Sequence, residues 1–111
     1  MGGIDGNIAE YDTLMKVNVR STMQILSICM PFLKMRKMQG TFEVVGGTAT
    51  VLSASAGENP WPGHTQYNSV MASLNMMVKV AALENAHLHV RINAVAPGYV
   101  RSEKARMHPD F

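Results

Sequence analysis

Apolar positions in this chain fall into two long stretches with a helical step, separated by shorter runs of another kind. In the first, Val19, Met23, Leu26, Met30 and Leu33 recur at three- and four-residue intervals, which predicts a helix over residues 10–35. Ile25, Ile28, Cys29 and Phe32 widen that stripe until only a narrow polar face remains, the pattern of a helix buried on two sides. Cys29, between Ile28 and Met30, reads as an inert core thiol. Pro31 lacks an N–H and crowds the carbonyl four residues back, so a kink is expected there. Lys34, Arg36 and Lys37 fall at the predicted C-terminal end, where cations complement the helix dipole. The first nine residues, with Gly2, Gly3, Asp5, Gly6 and Asn7, read as a loop.

Beyond the helix, Gly40 to Gly47 reads as a short strand or an inserted loop around Phe42, Val44 and Val45. Thr48 to Leu52 is a run of β-formers and predicts a strand, and Ser53 to Gly63 is a turn-rich loop holding Pro60, Trp61 and Pro62. The second helical stretch covers residues 64–85. Val70, Leu74, Met77, Val78 and Ala81 form its core stripe, with Met71, Met76, Val80 and Leu83 as a second apolar face. Val90 to Ala96 then reads as a strand stopped by Pro97-Gly98. Strand, helix and strand in this order make a βαβ unit with parallel strands, so the fold class is α/β. Two or three strands cannot cover two helices that are apolar on two faces. Either the chain is a piece of a larger domain, or other chains cover those faces.

Composition narrows the function classes. With 111 residues the chain is a single domain, and 47% hydrophobic content is that of a globular protein. A net charge of +2 gives no ground for nucleic-acid binding or an anionic membrane. The best apolar run, Met23 to Leu33, is short of a membrane span and contains Gln24, Ser27 and Pro31. One cysteine excludes an internal disulfide, and no basic start precedes an apolar run, so a soluble, cytoplasmic chain is the expectation. His87 and His89 have no third ligand nearby in sequence, and His64 and His108 have no partner to name, so no metal site is expected.

An ordered set of motifs carries more. Asn18 sits in Lys16-Val17-Asn18-Val19-Arg20-Ser21 on the first helix, and Ser53-Ala54-Ser55-Ala56-Gly57 ends a strand ahead of Tyr67. Arg91-Ile92-Asn93-Ala94-Val95-Ala96-Pro97-Gly98 closes the series on the last strand. This succession resembles the second half of the short-chain dehydrogenase/reductase domain, over about residues 9 to 102. The resemblance implies a partial, Rossmann-like, three-layer α/β domain with parallel strands and two long helices, without the N-terminal nucleotide-binding half in these 111 residues. It further implies NAD or NADP as cofactor and hydride transfer between alcohol and carbonyl carbons. It also implies a homo-oligomer paired through helices 10–35 and 66–85.

Family chemistry uses a tyrosine as general acid or base and a lysine four residues later. A serine thirteen residues before the tyrosine and an asparagine on the preceding helix complete the set. A free phenol titrates near about 10, so it needs a nearby cation to exchange protons at neutral pH. By resemblance, Tyr67 and Asn18 occupy the tyrosine and asparagine positions. The serine position falls on Ala54, three before Gly57, and the lysine position on Met71. Ser53 and Ser55 flank Ala54, but strand neighbours point to opposite faces, so either needs a local shift to substitute. Lys79, twelve residues after Tyr67, lies about 120° around the helix and about 18 Å along it, out of reach. Pro97 and Gly98, the backbone near Val100 and the Ser102 hydroxyl match the family's nicotinamide-binding turn. No Gly-rich pyrophosphate loop is present in these residues.

Asn18 is read either as a proton relay or as a structural asparagine at a helix distortion, and Trp61 either as lining a substrate loop or, preferably, as pinning that loop. Gly40 to Gly46 departs from the family as an insertion of about seven residues. The expected function is an NAD(P)-dependent oxidoreductase-family chain with impaired catalysis. The alternative is a non-catalytic dimerising module built on the same fold.

Overall fold

A computed structural model describes residues 2–34, 36–37, 40 and 44–103. The chain enters through a tight turn and starts its first helix, α1, at Ile8–Met15, earlier than the sequence pattern indicates. The cause is Asn7, whose side-chain oxygen accepts from Ala9 N at 2.8 Å and caps the helix. The helix runs on through a π-helical turn, Lys16–Arg20, into α2, Ser21–Leu33, which holds Pro31 in its last turn. It stops at Leu33, with Lys34 as C-cap. Arg36 therefore leaves the helix terminus for a two-residue strand, and so does Lys37. Met35, at the end of the predicted helix, lies outside the described residues.

That strand, β1 (Arg36–Lys37), pairs antiparallel with β2 (Val44–Val45). The segment read as a strand or an insertion thus contributes one side of a small hairpin; Phe42 within it lies outside the described residues. β3 (Thr48–Leu52) and β4 (Arg91–Val95) form a parallel pair in register from Thr48 opposite Arg91 to Leu52 opposite Val95. Between them runs α3, Thr65–Asn85. The βαβ unit and the α/β class expected from the sequence are present: two parallel strands with two long helices, a partial Rossmann-like arrangement.

The core lies where α3 meets one face of the sheet. Val51 and Ile92 turn inward by strand alternation, meeting Val70, Leu74 and Val78 of α3, with Val19 and Val90 at the margins. Leu52 and Val95, opposite one another in the register, are exposed.

The first helix departs from its predicted burial. No residue of α2 is buried, and Ile25, Ile28 and Phe32 are exposed. Cys29 is exposed as well and is no core thiol. The reason is supply of surface. Two described parallel strands offer one face, α3 takes most of it, and α2 contributes only Leu26, Met30 and Leu33, partly buried, against the core. Among the described residues no helix is long and apolar enough to cross a membrane.

Candidate active site

The sequence-predicted site residues come from four places: the π turn, the end of β3, the start of α3 and the turn after β4. A π turn leaves one carbonyl out of the usual ladder, and such bulges recur at functional sites. Here Asn18 Nδ2 donates to Leu14 O at 2.9 Å, and Thr22 Oγ1 donates to Asn18 O at 2.7 Å. The amide of Asn18 is thus engaged in stitching the distorted helix, which favours the structural reading of this residue over the relay.

At the end of β3 the strand pairing continues past its formal limit. Ser53 N donates to Val95 O at 2.8 Å and Ser55 N to Pro97 O at 3.0 Å, which ties the serine-rich segment to the Pro97-Gly98 turn. A short 3-10 turn, Ser55–Gly57, then seats the segment on α3. Ala54, extended at φ −151 and ψ 149, is buried and belongs to the core cluster. The flanking serines diverge. Ser53 Oγ donates to Asn75 Oδ1 on α3 and is committed there. Ser55 Oγ faces the turn, 3.5 Å from the point where a Cβ on Gly98 would lie. It is the hydroxyl beside that turn, and strand alternation alone did not single it out.

Tyr67 stands in the first turn of α3, half-buried, with its ring centroid 6.3 Å from that of Trp61. One turn on, Met71 is 4% exposed and packed in the core. Lys79 is far along the helix, lining a groove with Glu58, Ile92 and Asn93. No cation on α3 therefore serves Tyr67 in the way the family's lysine would. Val100 and Ser102 follow the turn on an exposed segment.

These residues do not fit the reacting half of a nicotinamide cofactor. The turn supplies backbone and an open face at Gly98. At the positions that the resemblance assigns to the family's lysine and serine, however, the chain has a buried thioether, Met71, and a buried methyl group, Ala54, neither of which donates a hydrogen bond.

Sequence reading missed the aromatic arrangement around Trp61. Its ring stacks on Tyr99 with centroids 5.2 Å apart and planes 9° from parallel, and meets His64 edge-on at 6.0 Å. His64, for which the sequence names no partner, has this contact and a 3.3 Å approach of Nδ1 to Pro62 O. His108 lies outside the described residues. His87 and His89 are both exposed, on the 3-10 turn Ala86–Leu88 and at its C-cap.

Known proteins share this fold and sequence. A family model described as Enoyl-(Acyl carrier protein) reductase matches residues 2–111. The acetoacetyl-CoA reductase of Synechocystis sp. is 32% identical over 95 residues, 86% of this chain and 36% of that protein. Dehydrogenase/reductase SDR family member 4 of Bos taurus is 30% identical over 97 residues, 87% of this chain and 32% of that protein. Among solved structures, acetoin dehydrogenase from Enterobacter cloacae superposes with a TM-score of 0.76 at 22% identity, covering 96% of this chain and 39% of that one. The chain thus spans 36% and 32% of the lengths of these two curated relatives.

Proposed function

The chain belongs to the short-chain dehydrogenase/reductase family, and from that premise we propose that it is an NAD(P)-dependent oxidoreductase-type chain with impaired catalysis. Its site would have handled an alcohol or carbonyl carbon, with Tyr67 as acid or base and Asn18 in support through the distorted helix that it stitches. The observation that carries this reading is the pair Ala54 and Met71. Both positions that need a polar group for hydride transfer hold apolar side chains, and both of these are packed into the core. With Met71 at the position of the family's lysine, the Tyr67 phenol lacks the cation behind general acid–base power typically worth about 10² to 10⁴-fold in rate. The ribose side of the nicotinamide loses a donor in the same change, so cofactor affinity falls too.

The test compares oxidation of NADH and NADPH by the wild-type chain and by Tyr67→Phe, using short-chain ketones and acetoacetyl-CoA as acceptors. Indistinguishable background rates are expected. A wild-type rate that disappears in Tyr67→Phe overturns the proposal.

A second reading has its own support. Between α2 and α3 runs an apolar groove lined by Met23, Leu26, Met30, Met76, Met77 and Val80, and Met76 is 58% exposed. A face of this kind on a small chain favours a pairing module, with α2 and α3 of one copy against those of a second.

A further inference from the structure

The described methionines differ sharply in exposure. Met23 on α2 and Met76 on α3 are 55% and 58% exposed, and both line the groove between the two helices, one on each wall. Met30 and Met77 line the same groove but are half-buried, as Met15 is elsewhere, and Met71 is in the core. Exposure thus singles out Met23 and Met76, and both lie on one surface. That surface is otherwise apolar. Among the described residues Glu84 is the one charged side chain lining it, and Ser27 and Ser73 supply its hydroxyls.

A thioether is apolar until it is oxidised. Hydrogen peroxide transfers one oxygen to the sulfur: a sulfur lone pair attacks, the O–O bond breaks as the S–O bond forms, and the other oxygen leaves as water with both protons. Sulfur is oxidised and peroxide is reduced. The product is a polar sulfoxide, which methionine sulfoxide reductases return to the thioether. On a free chain water hydrates it. Under a partner that water is stripped away, and a groove of mostly apolar side chains replaces it poorly.

We propose that Met23 and Met76 are a sulfoxidation site, and that peroxide acting there prevents the groove from pairing with a second copy of the chain. The proposal rests on the pairing-module reading of this groove. A two-fold pairing with antiparallel α3 helices suits the groove's charge, because the two Glu84 carboxylates, in the last turn of α3, then lie at opposite ends. Modification takes place on the separated chain, where both sulfurs are in reach, and withdraws that chain from the pairing equilibrium.

In the experiment the chain is treated with hydrogen peroxide at a dilution where light scattering shows a monomer. It is then quenched with catalase, mapped by peptide mass spectrometry and concentrated. Sulfoxide is expected at Met23 and Met76 severalfold faster than at Met15, Met30, Met71 and Met77. The dimer dissociation constant is expected to rise at least about tenfold, as covering a polar group without full partners dictates. A variant carrying Met23→Leu and Met76→Leu keeps the groove apolar and similar in volume. It should pair like untreated wild type both before and after peroxide. Cys29 and the other methionines remain in that variant, so their oxidation is controlled for. Oxidation of Met30 or Met77 as fast as that of Met23 and Met76 overturns the site. Treated wild type that pairs as tightly as untreated overturns the switch, and so does a double variant that peroxide dissociates. Untreated wild type that stays monomeric at every concentration fails at the pairing reading itself, before peroxide is added, and takes the switch with it.

Discussion

Gly57 rests on the carbonyl of Met71: a Cβ built on it would lie 2.8 Å from Met71 O and would collide with Asn75 Nδ2. This contact lets the turn at the end of β3 press Ala54 and Ala56 into the core beside α3. Gly57→Ala therefore has no rotamer to relieve it and forces the two backbones apart. A loss of about 1–3 kcal/mol is expected, the usual cost of overpacking, read as a lower midpoint in urea with an unchanged slope. Gly63→Ala serves as a contrast with open space around it, where only the backbone conformation at φ +84 is strained.

Met71 gives a sharper test, because its environment decides whether the family's lysine could be restored. A lysine at a position only 4% exposed would be desolvated, and burial lowers a lysine pKa by up to about 3–5 units. A lowering of about 3 units costs about 4 kcal/mol. The sign follows from linkage. The unfolded lysine titrates near about 10.4 and the folded one lower, so the unfolded state binds more protons in between and stability rises with pH there. Met71→Lys is expected to be strongly destabilised at pH 6 and to recover toward wild type as pH climbs to 10. Met71→Leu should lose less than about 1.5 kcal/mol at every pH. A Met71→Lys variant as stable as wild type at pH 6 would mean that the side chain reaches a polar cleft beside Tyr67.

His89 carries a strained backbone, at φ 59 and ψ 24, as the C-cap of the turn Ala86–Leu88. Its carbonyl lies against Gly46 so closely that a side chain there would overlap it. A non-glycine residue in this region costs about 1–2 kcal/mol, of which glycine's extra unfolded-state freedom returns part. His89→Gly should stabilise the chain by about 0.5 kcal/mol, and His89→Val should destabilise it by more than that. Thermal melts of the two variants beside wild type settle the order. Because His89 is exposed, lost packing does not complicate the comparison.

Much of the fold was legible because it is local. Thr48–Leu52 is a run of β-formers between Gly47 and a serine-rich turn, and it is the observed strand residue for residue. α3 begins one residue later than its pattern and ends where predicted. Asn7 hid the true start of α1, since a capping asparagine among glycines reads as loop until its hydrogen bond is seen. The π turn at Lys16–Arg20 was legible only as the helix distortion that one reading of Asn18 allowed, because one extra residue in a ladder barely disturbs an apolar stripe. The exposure of Cys29, Ile28 and Phe32 was also out of reach, because an apolar helix announces that it wants cover and not whether cover is present. At the site, Tyr67, Ala54 and Met71 were assigned through the family resemblance, whose motif lies along one segment. The Trp61–Tyr99 stack joins residues far apart in sequence through a loop and a turn, and no periodicity records such a contact.

The uncovered helices supply the last prediction. Met76 and Val80 sit one turn apart on α3, both exposed, along the groove shared with Met23 of α2. If a second copy covers this groove, light scattering should show a mass that rises with concentration toward a dimer. The double variant Met76→Lys, Val80→Glu should then remain monomeric at the same concentration. Its cost to the single chain should stay within about 0.5 kcal/mol per site, because exposed positions away from core, caps and networks are tolerant. The charges at positions 76 and 80 form an i, i+4 pair on α3 and compensate one another on the free helix. Wild type that stays monomeric at high concentration, with the double variant indistinguishable from it, removes the pairing-module reading and leaves the impaired oxidoreductase reading standing on its own.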